Sequence, residues 1–183
     1  MRKAISAIVI AATMSFSASS AAMAQDKTPA AGPNDLTWAQ VAELKKTSGP
    51  TITSSIASDV RAAIQSCTVN MGNIHFRLSG EDYPNGAIGV KPVLKCTAVM
   101  PFISMSTTLY KTVWWGLQYQ TGPVTTAGSF VQQIQTKNIL QPCMNRKYST
   151  NFYAVTTSNM TFPGGSTATG SAFQEATLDC ATF

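Results

Sequence analysis

The sequence predicts a mainly β protein: an antiparallel β-sandwich, immunoglobulin-like in the broad sense, with one or two short N-terminal helices. Three observations carry this. Twenty-two threonines fall among residues 25–183, and a β-branched polar residue suits the wet face of an antiparallel strand. From Cys67 onward, Gly and Pro divide the chain into short alternating segments at intervals of roughly 8 to 15 residues, the spacing of sandwich strands. All four cysteines, an even number, lie in that same stretch, as bridges in an exported domain do.

The elements follow in order. Arg2 and Lys3 precede an apolar stretch from Ala4 to Phe16, and Ala22-Met23-Ala24 supplies small residues at a cleavage site. Residues 1–24 therefore read as a secretory signal peptide of bacterial type, cut before Gln25. The apolar stretch is shorter than the roughly 20 residues of a spanning helix. No later segment is apolar enough to span, so no membrane span is expected after cleavage. The protein is expected in the periplasm or the medium.

Residues 25–36, with Pro29, Gly32, Pro33 and Asn34, read as a flexible lead-in. Residues 37–66 read as an N-terminal helical segment. Thr37 is an N-cap for a helix from Trp38 to about Lys46, with Trp38, Val41 and Leu44 on one stripe. Gly49-Pro50 ends it. A second helix is expected from Ser55 to Ser66, in competition with a strand, because Thr51-Ile52-Thr53 directly precedes it.

Residues 67–183 form the disulfide-bonded β domain. Asn73 to Ser79 alternates, with Ile74, Phe76 and Leu78 inward and His75 and Arg77 outward. The segment from Gly80 to Gly86 is a turn cluster. Val90 to Met100 is a strand that Pro101 interrupts. Ser104 to Gln120 is the longest run, and Gly122-Pro123 punctuates it. Ser129 to Thr136, Lys147 to Thr157 and Ala172 to Cys180 are further strands, with a loop at Pro163-Gly164-Gly165-Ser166. Sequential pairing, Cys67–Cys96 and Cys143–Cys180, suits neighbouring strands. Each bridge is worth roughly 3 to 4 kcal/mol in the chain-entropy model.

The layout combines a helical lead-in, a first Cys, Leu109-Tyr110-Lys111, Trp114-Trp115-Gly116, Cys143, Tyr148, Tyr153-Ala154 and a last strand ending in Cys180. Over residues 67 to 183 it resembles small secreted bacterial β-sandwich proteins with two disulfides, mostly without assigned activity. The resemblance implies a fold and carries over no catalytic residue.

Composition narrows the function. Charged residues make up 11% of the chain, against roughly 25% in ordinary domains. Beyond the leader, 11 Lys and Arg face eight Asp and Glu, with no basic stripe, which argues against nucleic acid. No metal or cofactor is expected: the sequence has no Cys-x-x-Cys, and His75 is the one histidine. A catalytic triad would have to use His75, and no Gly-x-Ser-x-Gly accompanies it. Glu175 and Asp179 share a strand face about 13 Å apart, too far for a retaining glycosidase pair.

The aromatics are the remaining lead. Strand alternation sends Trp114 and Trp115 to opposite faces. Trp115 is expected in the core with Leu109, Val113 and Leu117. Trp114 is expected on the outer face with Tyr110 and Gln118, where an indole can stack on a sugar or anchor a protein. The sequence reading is a secreted non-enzymatic binding or structural domain, acting on a protein partner, an envelope component or a glycan. The alternatives are a small secreted hydrolase and a protease-inhibitor module using a braced loop from Thr121 to Ser129.

Overall fold

The computed structural model describes residues 32–49, 51–54, 65–77, 82–137 and 139–182. The expected leader, its expected cleavage site and most of the expected lead-in lie outside these residues. So do residues 55–64 of the expected second helix. Its last two residues, Gln65 and Ser66, open a strand instead.

The described chain is mainly β, with antiparallel sheets and a single short helix. Strand β1 is Leu36–Thr37 and helix α1 is Trp38–Thr47. Strands β2 (Thr51–Ser54), β3 (Gln65–Asn70), β4 (His75–Arg77) and β5 (Ala87–Val90) are short. Strands β6 (Val93–Val113) and β7 (Gly116–Gln135) are long. Then come β8 (Ile139–Pro142), β9 (Asn145–Thr161) and β10 (Thr167–Ala181).

Strand β6 is the spine. Strand β7 lies along one of its edges. The other edge is shared, with β3 at Val93 to Cys96 and β9 at Phe102 to Lys111. Strand β2 lies outside β3, β10 outside β9, and β1 outside the first two residues of β7. Strands β4, β5 and β8 form a second, three-stranded sheet. Ile88, Val90 and Ile139 of the small sheet join Leu94, Met105, Leu109 and Phe152 of the large one in a single buried cluster. Each such side chain is worth roughly 1.5 to 3 kcal/mol.

Two expected strand breaks do not occur. Pro101 lies inside β6. There the buried parity changes from Leu94, Cys96 and Met100 to Ile103, Met105 and Leu109, and residues 96–99 of β6 face the single residue Gln132. The pairs Met100–Val131 and Phe102–Ser129 hold one register on either side of Pro101, so the proline sits just past this irregularity, inside a continuous ladder. Gly122-Pro123, joined by a cis peptide, is a bulge within β7, since Thr121 and Val124 flank it opposite Leu109 and Thr107. The stretch Thr121 to Ser129, expected as an inhibitory loop, is therefore strand.

The run from Ser104 to Gln120 breaks where the sequence predicted continuity. Val113 pairs with Gly116, and Trp114-Trp115 is the two-residue turn between β6 and β7. The alternation that assigned the indoles to two faces does not apply to a turn. Trp115 is half-buried instead of being a core ring.

Helix α1 forms as expected. The Thr37 hydroxyl accepts from the Gln40 N–H at 3.4 Å, and the Gln40 side chain accepts from the Thr37 N–H at 2.8 Å, a reciprocal capping box. Lys45 and Lys46 sit in the last turn, where positive charge favours the helix dipole. Val41 meets Tyr110, Leu117 and Tyr153 in a second, smaller cluster. Leu109 and Tyr110 thus enter different clusters, and helix α1 covers the tyrosine.

Both disulfides form with the expected pairing, Cys67–Cys96 and Cys143–Cys180, and no cysteine is free. Cys67 and Cys96 are direct register partners on β3 and β6. No helix among the described residues is long and apolar enough to cross a membrane.

Candidate binding site

The site is built where the N-terminal segment crosses the closed end of the β6–β7 hairpin. Leu36 and Thr37 pair with Leu117 and Gly116. The approach demands glycine at 116: a Cβ there would stand 2.0 Å from the Leu36 carbonyl oxygen and 2.9 Å from the Thr37 Cα. Gly116 therefore seats the incoming strand.

That crossing places α1 beside the turn. The Trp38 indole N–H donates to the Trp114 carbonyl at 3.0 Å. Trp38 is 41% exposed and Trp114 is 67% exposed. A two-residue hairpin turn ordinarily takes Asn, Asp or Gly. Here it takes two tryptophans, and one projects into solvent while a second indole holds its backbone.

Along the same hairpin lies a cleft of about 340 Å³, lined by Asn34, Asp35, Gln40, Thr108, Tyr110 and Tyr119 among others. Tyr110 and Tyr119 are register partners and meet edge to face, centroids 6.4 Å apart. Burial, partly offset by a hydrogen bond with Thr108, raises the Tyr110 hydroxyl above its ordinary pKa. The Tyr119 hydroxyl donates to the Gly122 carbonyl. Asp35 has both oxygens engaged: Oδ1 accepts from the Tyr119 N–H at 2.7 Å and Oδ2 from the Gly32 N–H at 2.6 Å. This carboxylate braces the cleft, each oxygen accepting one backbone N–H. The arrangement offers aromatic surface, amide and hydroxyl groups and one carboxylate already bonded to backbone, which is binding chemistry.

The expected site residues separate. Trp114 stands at the turn. Tyr110 is buried at 8% exposure beneath α1, with part of its surface toward the cleft. Gln118 is half-buried opposite Lys111. Trp38, Asp35, Gln40 and Tyr119 were not expected at the site. The sequence places Trp38 on one apolar stripe with Val41 and Leu44, of which Val41 is buried and Trp38 exposed. The return of the N-terminal segment across the hairpin brings Asp35, Trp38 and Gln40 to it, and Tyr119 arrives as the register partner of Tyr110.

The other chemistry-bearing residues are engaged elsewhere. His75 is exposed, its Nδ1 3.0 Å from the Asn73 carbonyl. Hydrogen bonds from Asn151 and Tyr153 hold Glu175 below the usual carboxylate range, aided by the charge of Lys45. Burial, with the Glu175 contact, pushes Tyr153 up to about 12. Asp179 accepts from the Ser149 hydroxyl. Glu175 and Asp179 thus have separate partners on β9. Comparison with protein-family models, curated proteins and solved structures returned no match.

Proposed function

We propose that the protein is a secreted, non-enzymatic binding domain whose ligand is a neutral glycan, held by the Trp114–Trp38 end of the β6–β7 hairpin and the adjoining tyrosine cleft. The observation that carries this reading is the position of Trp114: an indole 67% exposed at a turn whose backbone a second exposed tryptophan fixes. An exposed indole carried on a fixed backbone offers a flat apolar face, which suits the face of a sugar ring. The cleft adds the amides of Asn34 and Gln40 and the Thr108 hydroxyl, groups that complement sugar hydroxyls. Export follows from the leader read in the sequence, and the two disulfides agree with it.

The experiment is a titration of the purified protein with a panel of neutral oligosaccharides, followed by tryptophan fluorescence and calorimetry. Saturable binding is expected. Trp114→Ala should weaken it at least about tenfold, the loss of one buried stacking contact, with the circular dichroism spectrum and melting midpoint unchanged. Binding that survives Trp114→Ala sinks the site. A panel without binders, joined to a protein partner whose capture needs Trp114, sinks the glycan and keeps the surface.

A further inference from the structure

Strand β7 runs for 20 residues. Among the described residues, its outer edge meets β1 at Gly116 and Leu117 and the Asp35 carboxylate at Tyr119. From Thr121 to Gln135 no described strand pairs with that edge. Exposed edges are normally blunted by Lys, by Pro or by shortness. The stretch Val124–Gln135 has no charged residue and no proline, the composition of strands that pair edge to edge.

A second observation falls in the same stretch. Phe130 has φ 55°, a backbone region where a bulky residue is an outlier. The kink brings Gly128 and Val131 to the same side: a Cβ on Gly128 would lie 2.8 Å from Val131 Cγ2 and 3.1 Å from Ile134 Cγ2. The Phe130 ring is thereby left 78% exposed. The register sets it opposite Pro101, between the pairs Phe102–Ser129 and Met100–Val131, and Phe102 and Val99 on the neighbouring β6 are exposed as well. Strain that exposes an aromatic gains nothing for the monomer's own packing, and such strain is the mark of a functional surface.

We propose that Val124–Gln135 is a self-association edge, pairing antiparallel with the same strand of a second copy and covering Phe130, Phe102 and Val99 at the seam. The occupant follows from charge. An uncharged strand meets itself without repulsion, and a twofold axis makes the contact closed and isologous. The opposite outer strand, β10, carries Glu175 and Asp179, and its Ser171 carbonyl already accepts from the Gly49 N–H. Full overlap of the stretch with itself puts Ser129 of one copy opposite Phe130 of the other. It forms on the order of ten main-chain hydrogen bonds, the number a specific interface carries.

Sedimentation of the disulfide-bonded protein over a concentration series tests this. A reversible dimer is expected. Ser129→Lys and Ser129→Glu each place like charges beside the axis and should weaken it about tenfold. An equimolar mixture of the two should restore association. Phe130→Gly removes the ring and the strain together, and should weaken the dimer without lowering the melting midpoint. A wild-type protein that stays monomeric at every concentration, or a dimer indifferent to all three substitutions, overturns the proposal.

Discussion

Thr107 on β6 and Thr156 on β9 face each other across the ladder, both fully buried, with hydroxyl oxygens 2.8 Å apart. Each satisfies the other where no water reaches. Thr107→Val should cost about 1 to 3 kcal/mol, because it strands the Thr156 hydroxyl. The double variant Thr107→Val/Thr156→Val should return close to wild type, since both polar groups are then gone. Denaturant melts across the four-protein cycle read the coupling directly. The sequence did not announce this pair: threonine signals a wet strand face, and these two lie inside. The indoles teach the same lesson. Trp114 is exposed because it occupies a turn, a reason that alternation could not supply. Tyr110 was expected on an outer face, but lies under a helix whose docking position the local sequence does not encode.

At the scale of the element, helix α1 was legible because its signals are local. Thr37, Gln40 and the Val41–Leu44 spacing lie within one or two turns of each other. The long strands were not legible as single elements. Pro101 and Gly122-Pro123 carry the sequence marks of strand ends, yet Pro101 sits just past an irregularity inside β6 and Gly122-Pro123 is a bulge inside β7. Continuity there depends on partner strands that hold the ladder on either side of the irregularity. The junction of β1 with β7 gives the element-level prediction. Gly116→Ala drives a methyl group into the Leu36 carbonyl and the Thr37 backbone. It should cost about 1 to 3 kcal/mol and loosen the Trp38–Trp114 contact. Faster hydrogen exchange at the Leu36 and Leu117 amides, with a shifted tryptophan emission, would register it. Unchanged exchange there would mean that β1 is not seated by this glycine.

Over the whole molecule, the two bridges do different work. Cys67–Cys96 joins neighbouring strands within the large sheet. Cys143 follows β8 of the small sheet, and Cys180 lies on β10 of the large one, so the second bridge clamps one sheet to the other. The chain-entropy model assigns each roughly 3 to 4 kcal/mol, but the local effects should diverge. Paired Cys143→Ser/Cys180→Ser substitution should raise exchange selectively in β4, β5 and β8. Paired Cys67→Ser/Cys96→Ser substitution should raise it at β2 and β3. Equal exchange changes across both sheets from either pair would refute this division. By itself the sequence determined the β class and the first helix, because these follow from composition and short-range capping; of the three pairings that four cysteines allow it favoured the one that formed, and the structure decided it. The tertiary structure alone decided which proline ends a strand, which tryptophan meets water and which edge lies open. Each of those depends on what a distant segment lays against the residue, and a strand's pairing partners are not written in its own alternation.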